Sequence, residues 1–284
     1  LITAMSLCAN PDFDKIKDSG FSQYFYESVT QTLARYNHAD ASTYWQQGAI
    51  SKLFIPEFHG REHLNIKVWM DDLRAGNEHT LAAFSLRFWG FRNKNSSGVS
   101  YQAAFDIDRK ETIDLQREVA FSGLQLFEKI YGRPARYFVP PNGAICQEVV
   151  DAVASRGVKY ICTPKIQNEP QGAQQTKKRF RYLGMKGKYG VTYLTRNCFF
   201  EPSYRGKGFS VNDCLEQISS SFAFNKPAVI SSHRVNYVGG LSEKNRKDGN
   251  AALHTLLTEC LRRWPSIEFM TSAELGDLIR NDQK

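Results

Sequence analysis

Arg136-Tyr137-Phe138-Val139 runs into Pro140-Pro141-Asn142-Gly143; residues 144–156 follow without a breaker, then Gly157-Val158-Lys159-Tyr160-Ile161-Cys162. This stretch decides the fold. β-branched and aromatic side chains bounded by Pro, Asn and Gly give a strand, a turn, a helix and a second strand. Two strands joined by a crossover helix pair in parallel, so the unit is β-α-β.

Outward from this unit the alternation continues. Towards the carboxyl end, 167–178 is a polar, turn-prone excursion and 179–195 forms two strands around Lys186-Gly187-Lys188-Tyr189-Gly190. Helix 211–224, strand 227–231, helix 245–263, strand 267–270 and a last helix 272–279 capped by Ser272 complete it. Towards the amino end, 1–8 reads as a buried strand. Asn10-Pro11-Asp12-Phe13 caps a helix running toward Gly20, with Pro at its first position. Residues 21–36 and 39–50 are aromatic helical connections, the second closed by Gly48, and 53–58 is a strand end interrupted by Pro56. Helices are expected over 64–73 and 78–89, and a polar loop over 93–100. A strand 101–105 then ends in Asp106-Ile107-Asp108, and a long helix 110–131 is closed by Gly132. The expectation is an α/β fold, a distorted (β/α) barrel of mostly parallel strands forming one domain over 1–284. Because the first residues read as a buried strand, an earlier strand upstream of Leu1 is also expected.

Chemistry on such a fold gathers at the carboxyl ends of strands. His59, Asp106, Pro141-Asn142-Gly143 and His233 all fall at such positions. His59-Gly60-Arg61-Glu62-His63 is the densest of these groups. If the segment after Gly60 is helical, His59 and His63 are one turn apart and can share a divalent metal. Taken alone, the pair could equally be hydrogen-bonded structural histidines. His233-Arg234-Val235-Asn236-Tyr237 follows an apolar strand with hydrogen-bonding side chains. Arg61, Asn65, Arg234 and Asn236 carry donors suited to sugar hydroxyls or a carboxylate, and helix capping or hydration suits them as well. Residues 196–202 are expected to line a sugar subsite or simply to pack at a strand end.

No run approaches 18 apolar residues, so a membrane-spanning helix is not expected. The net charge of +8 is compatible with an anionic partner such as an acidic glycan. Its one dense run, Lys177-Lys178-Arg179-Phe180-Arg181, reads as a solvated strand edge without a nucleic-acid signature. Six widely spaced cysteines fit a reducing, cytoplasmic compartment slightly better than an oxidising one, with a periplasmic or secreted location left open.

Three segments together resemble the polysaccharide deacetylase superfamily, carbohydrate esterase family 4. His59-Gly60-Arg61-Glu62-His63 resembles its H-[ST]-x-x-H motif, Val139-Pro140-Pro141-Asn142-Gly143 its R-x-P-[aromatic]-G motif, and Ile230-Ser231-Ser232-His233 its L-x-H motif. The resemblance implies a metal-dependent hydrolase that removes an acyl group from a sugar of a poly- or oligosaccharide. His59 and His63 would hold a divalent metal, Zn by preference, and His233 would protonate the leaving amine. The backbone N–H of Asn142 would face the oxyanion. Departures accompany the likeness. The family's Asp-Asp strand end is absent, Asp71-Asp72 falls inside an expected helix, and Val139 and Asn142 replace an Arg and an aromatic. Either the acids lie upstream, or the carboxylate role moves to Asp106, Asp108 or Glu62, or hydrolysis is lost and a glycan-binding relative remains. A rival takes His59 to His63 as the inverted zinc-peptidase motif H-x-x-E-H with Glu62 as base, which requires a regular helix through all five residues.

Overall fold

The computed structural model describes residues 1–91, 97–204 and 206–282, which fall into two compact units, 1–194 with 271–284, and 195–270. In chain order the first unit contains β1 (Ile2–Ser6), β2 (Ala9–Pro11), α1 (Phe13–Asp18), β3 (Tyr26–Ser28), α2 (Val29–Arg35), α3 (Ala41–Ile50) and β4 (Phe54–Phe58). There follow α4 (Ile66–Arg74), α5 (Glu78–Ser85), α6 (Ile113–Tyr131), β5 (Tyr137–Phe138), α7 (Gln147–Ser155) and β6 (Tyr160–Cys162). The hairpin β7 (Ile166–Gly172) and β8 (Gln175–Phe180) leads to β9 (Met185–Lys186) and β10 (Thr192–Leu194). The second unit is β11 (Cys198–Phe199), α8 (Val211–Ala223), β12 (Ile230–Ser231) and α9 (Glu243–Arg263); α10 (Ser272–Asp282) belongs again to the first.

The β-α-β unit formed as its punctuation dictates: α7 links β5 to β6, and the strands pair in parallel, Tyr137 beside Tyr160. The main sheet runs β1-β4-β5-β6-β10-β9, parallel throughout except for the hairpin partner β9. The fold is α/β with a mostly parallel central sheet, whose inner strands are apolar along their length, as both-face burial requires. Phe58, Tyr137, Phe138, Tyr160, Ile161 and Tyr193 are all buried. Glu57 is the exception on β4. Its buried carboxylate accepts the N–H groups of Arg136 and Tyr137 at 3.0 and 2.9 Å, fastening β4 to the start of β5. The second unit has its own core, in which Cys198 and Phe200 meet Cys214, Leu215 and Ile218 of α8 and Leu256 and Cys260 of α9. β11 and β12 pair in parallel there.

Several expectations are corrected. Residues 101–105 form successive turns, with Ala103 N–H bonded to Ser100 O and Asp106 N–H to Ala103 O at 3.0 Å each. The side chains of Tyr101 and Phe105 are buried from those turns, so apolarity there marked core and not strand. Residues 267–270 likewise form no strand. Strand β1 is present but is an edge strand, with Ile2 56% exposed. Pro11 lies in β2 opposite Tyr26, and the cap of α1 is Asp12, whose Oδ1 accepts the Lys15 N–H at 3.2 Å. Of 21–36, only the part from Val29 is helical. Gly48 does not close α3 but sits inside it, where the Phe54 ring occupies the place of a β-carbon. The excursion 167–178 is a β-hairpin whose turn residues Ala173 and Gln174 both have positive φ, 49° and 60°. The cap of α10 is Thr271, in reciprocal bonds with Glu274. Residues 93–96 of the expected polar loop lie outside the described residues.

Candidate functional site

Strand β4 delivers His59 at the carboxyl end of the sheet, between the ends of β1 and β5. The backbone N–H of His59 bonds Ser6 O at 3.0 Å, and its Nδ1 lies 2.7 Å from Val139 O, just past β5. A carbonyl only accepts, so Nδ1 carries a proton, and in the neutral ring Nε2 is then the acceptor nitrogen. Gly60 then turns the chain at φ +105°, in the region that favours glycine, with Phe105 and Pro141 packed around it. Residues 59–65 are not helical; α4 starts only at Ile66, capped by the Asn65 side chain. The conditional helix is thus absent, and with it the regular element that the inverted-peptidase motif requires. The imidazoles meet nonetheless, ring centroids 5.1 Å apart and planes at 67°.

The residues between them face inward. Arg61 Nε donates to Glu62 Oε1 and Oε2 at 2.8 and 2.9 Å, and Nη1 donates to Ser122 Oγ of α6 at 2.8 Å. The guanidinium lies 4.0 Å from the centroid of Tyr26, and Tyr24 donates its hydroxyl to Glu62 Oε1 at 2.9 Å. Glu62 is 1% exposed and Arg61 6%. Burial pushes the Glu62 carboxyl above its ordinary range, against the pull of Arg61. Expected to bind substrate and to act as a base, the two side chains are spent on each other inside the protein.

Asn65 is buried as well. Its Nδ2 donates to Ala103 O and Asp106 O at 3.0 and 2.8 Å, so its donors hold the 101–108 turns against α4. Asp106 is half-buried; burial raises its pKa, the Ile107 N–H lowers it and the Asp108 charge raises it further. Asn142 is exposed at φ 54°, in a left-handed turn that asparagine tolerates. Among the described residues, no group of three or more His, Cys, Asp or Glu side chains is placed to hold a metal. His59 and His63 are the two imidazoles that could contribute ligands to such an ion, their rings lying side by side. A neutral imidazole whose Nδ1–H is fixed by a carbonyl is how metal-binding histidines are oriented.

His233 belongs to the second unit, as do Arg234 and Asn236. Following β12, His233 places Nδ1 at 2.6 Å from Glu201 Oε1, while Glu201 Oε2 accepts the backbone N–H of His233 and the Nδ2 of Asn236. Asn236, fully buried, also donates to His233 O and accepts the Ser203 N–H, so its side chain is committed to this loop. The His233 ring is 72% exposed and the Glu201 side chain 12%. A partly buried carboxylate thus orients an accessible imidazole, an arrangement able to donate or accept a proton at Nε2. Arg234 is exposed. Sequence reasoning missed Glu201 as the partner of His233; the signal was a carboxylate just past β11, the strand that pairs with β12.

No protein-family model and no curated protein sequence matches the chain. Similar solved structures include a chain named as a polysaccharide deacetylase from Mycobacterium smegmatis, 14% identical over 60% of this chain and 58% of that one, TM-score 0.39. Others are an α-amylase from Thermotoga maritima, at 10%, 87%, 53% and 0.44, and a carbohydrate esterase family 4 pseudoenzyme from Bacillus anthracis, at 12%, 80%, 47% and 0.35. The chain spans about half the length of these structures.

Proposed function

We propose that the chain is a metal-dependent hydrolase that removes an acyl group, acetyl by preference, from a sugar of a poly- or oligosaccharide, and that its parallel sheet belongs to a distorted (β/α) barrel. One observation carries the proposal: the His59 Nδ1–Val139 O bond of 2.7 Å, which presents Nε2 as the acceptor nitrogen with the His63 ring beside it. His59 and His63 would hold a divalent metal, zinc by preference, which supplies Lewis-acid polarisation of the acyl carbonyl. The other roles are taken by the chain's own groups. His233, oriented by Glu201, protonates the departing amine through Nε2. Asp106, whose carboxyl burial makes more basic, accepts a proton from the attacking water. Asn142 offers a backbone N–H to the oxyanion and Arg234 a guanidinium to the substrate, a neutral or anionic carbohydrate.

A second proposal, a glycan-binding relative without hydrolysis, rests on the sequence's departures from the family motifs, with Val139 and Asn142 where those motifs carry an Arg and an aromatic. Acetate release from neutral and anionic N-acetylated oligosaccharides by zinc-loaded protein, with bound zinc measured in parallel, separates the two. Release that falls to background in His63→Ala supports the hydrolase. Glycan binding without release supports the alternative, and neither binding nor release removes both.

A further inference from the structure

Two imidazoles four residues apart normally face each other because a helix turns them to the same side. No helix runs through 59–65, yet the rings of His59 and His63 lie 5.1 Å apart, so something else sets their register. The intervening residues show what it is. Gly60 permits the turn, and the next two side chains leave on the protein side and lock together, Arg61 Nε against both oxygens of Glu62.

Three elements grip this pair. From the β1–β2 connection and the first residue of β2, the N–H groups of Cys8 and Ala9 both bond Arg61 O, at 3.0 and 2.8 Å. From the aromatic stretch around β3, Tyr24 donates its hydroxyl to Glu62 and Tyr26 lays its ring against the guanidinium. From α6, Ser122 accepts Nη1, and Gly123 makes the room: a β-carbon there would lie 2.9 Å from Arg61 Cβ and 2.9 Å from the Phe58 ring. A buried ion pair is seldom the best stabiliser available, since apolar side chains of similar volume often do as well or better. What it adds is direction, because Nε–H donating to both Glu62 oxygens while Nη1 donates to Ser122 Oγ leaves the planar guanidinium few orientations.

We infer that Arg61 and Glu62 are positioning residues, a buried clamp that takes the place of a helical turn and holds the His59 and His63 rings in register. The clamp sets His59 against Val139 O and thereby fixes its proton on Nδ1. Its functional meaning rests on the proposal that the two imidazoles hold a metal, but the geometry can be tested without any metal.

The test uses metal-free protein with 15N-labelled histidine, recorded above the ordinary imidazole pKa of about 6.5. Long-range 1H–15N spectra report which ring nitrogen bears the proton. Wild-type His59 is expected in the Nδ1–H form. Glu62→Gln and the gentler Tyr24→Phe, which removes one hydroxyl, shift it towards the Nε2–H form usual in water. Glu169→Gln serves as a control, since its buried carboxylate is paired with Arg179 and Gln147, and its loss costs stability without touching the clamp. Zinc affinity by calorimetry is the second readout, with a fall of about 10–100-fold expected in Glu62→Gln, the usual range for groups that orient ligands.

A wild-type His59 protonated on Nε2, or folded Glu62→Gln with wild-type ring spectra, overturns the inference. Equal tautomer shifts in the Glu169→Gln control overturn it too, because any loss of stability would then suffice. If Glu62→Gln does not fold, Tyr24→Phe decides alone. A wild type that binds no zinc, with ring spectra that still respond to the clamp variants, leaves the positioning role standing and removes the metal proposal.

Discussion

The carbonyl oxygen of Asn236 occupies the place that a β-carbon on Gly249 would take, so helix α9 lies directly on the backbone of the loop that carries His233. Intrinsic propensity favours Ala over Gly in a helix by about 1 kcal/mol. Here the obstacle is backbone, which cannot swing aside as a side chain could, and overpacking costs about 1–3 kcal/mol. Gly249→Ala should therefore destabilise the protein by urea unfolding, despite its better helix former. It should also lower the proposed hydrolysis, because Asn236 Nδ2 is one of the donors that hold Glu201. A stabilised variant with full activity would show that the loop yields freely.

Glu201 makes the second case. Glu201→Gln keeps the shape and an acceptor oxygen but removes the charge that faces His233 Nδ1 at 2.6 Å. In the proposed reaction, with His233 as general acid, its mispositioning or wrong protonation is expected to lower kcat by about 100-fold, the lower end of what such groups supply, with little change in KM. Steady-state acetate release checks this. An equal fall in Ser232→Ala, whose hydroxyl bonds Tyr237 and accepts from Asn236 Nδ2 at 3.4 Å but does not touch Glu201, would instead point to general disturbance of the loop.

The sheet was legible because its signals are local. Pro-Pro-Asn-Gly and Gly157 bracket α7 whatever lies around them, and Gly132 ends α6 in the left-handed conformation expected of it. The errors arose where tertiary packing decided. Apolar 101–105 is buried from turns, and 173–174 turns a hairpin with Ala and Gln, residues that carry no positive-φ signature. The His59–His63 pair was legible as a pair, but for the wrong reason: spacing suggested a helix, while the contact depends on Val139, Ser122 and Tyr24, which no short window contains. Glu201 was hidden for the same cause, its partner being 32 positions away.

Asp106 gives a pH signature. Burial first, and then Asp108, raise its carboxyl above the ordinary 3.8, with the Ile107 N–H opposing. For an acid with a raised folded-state pKa, the unfolded chain ionises first. The contribution to stability is therefore fully present below about pH 3.8 and is lost as pH rises through the folded value. Asp106→Asn keeps an oxygen for Ile107 and cannot ionise. Its stability relative to wild type should increase from pH 3 towards pH 7, read as urea midpoints. A difference that stays constant over that window would mean the carboxyl titrates alike in both states.

Gly60 tests the link between backbone and site. At φ +105°, any side chain is strained, and a β-carbon would also meet Glu62 O at 3.1 Å, with Phe105 and Pro141 at 3.5 Å. Gly76 has φ +74° and nothing within 4 Å of its would-be β-carbon, so Gly76→Ala carries backbone strain alone, about 1–2 kcal/mol. Gly60→Ala carries comparable strain plus a contact with main chain, and should cost about 1 kcal/mol more. The excess has one place to go: Glu62 O must move, and His63 is the next residue. Zinc affinity should consequently fall in Gly60→Ala and stay at the wild-type value in Gly76→Ala, although both lose stability. Equal affinities in the two variants would mean that the His59–His63 contact survives a shifted backbone, and that the turn at Gly60 serves the fold and not the imidazoles.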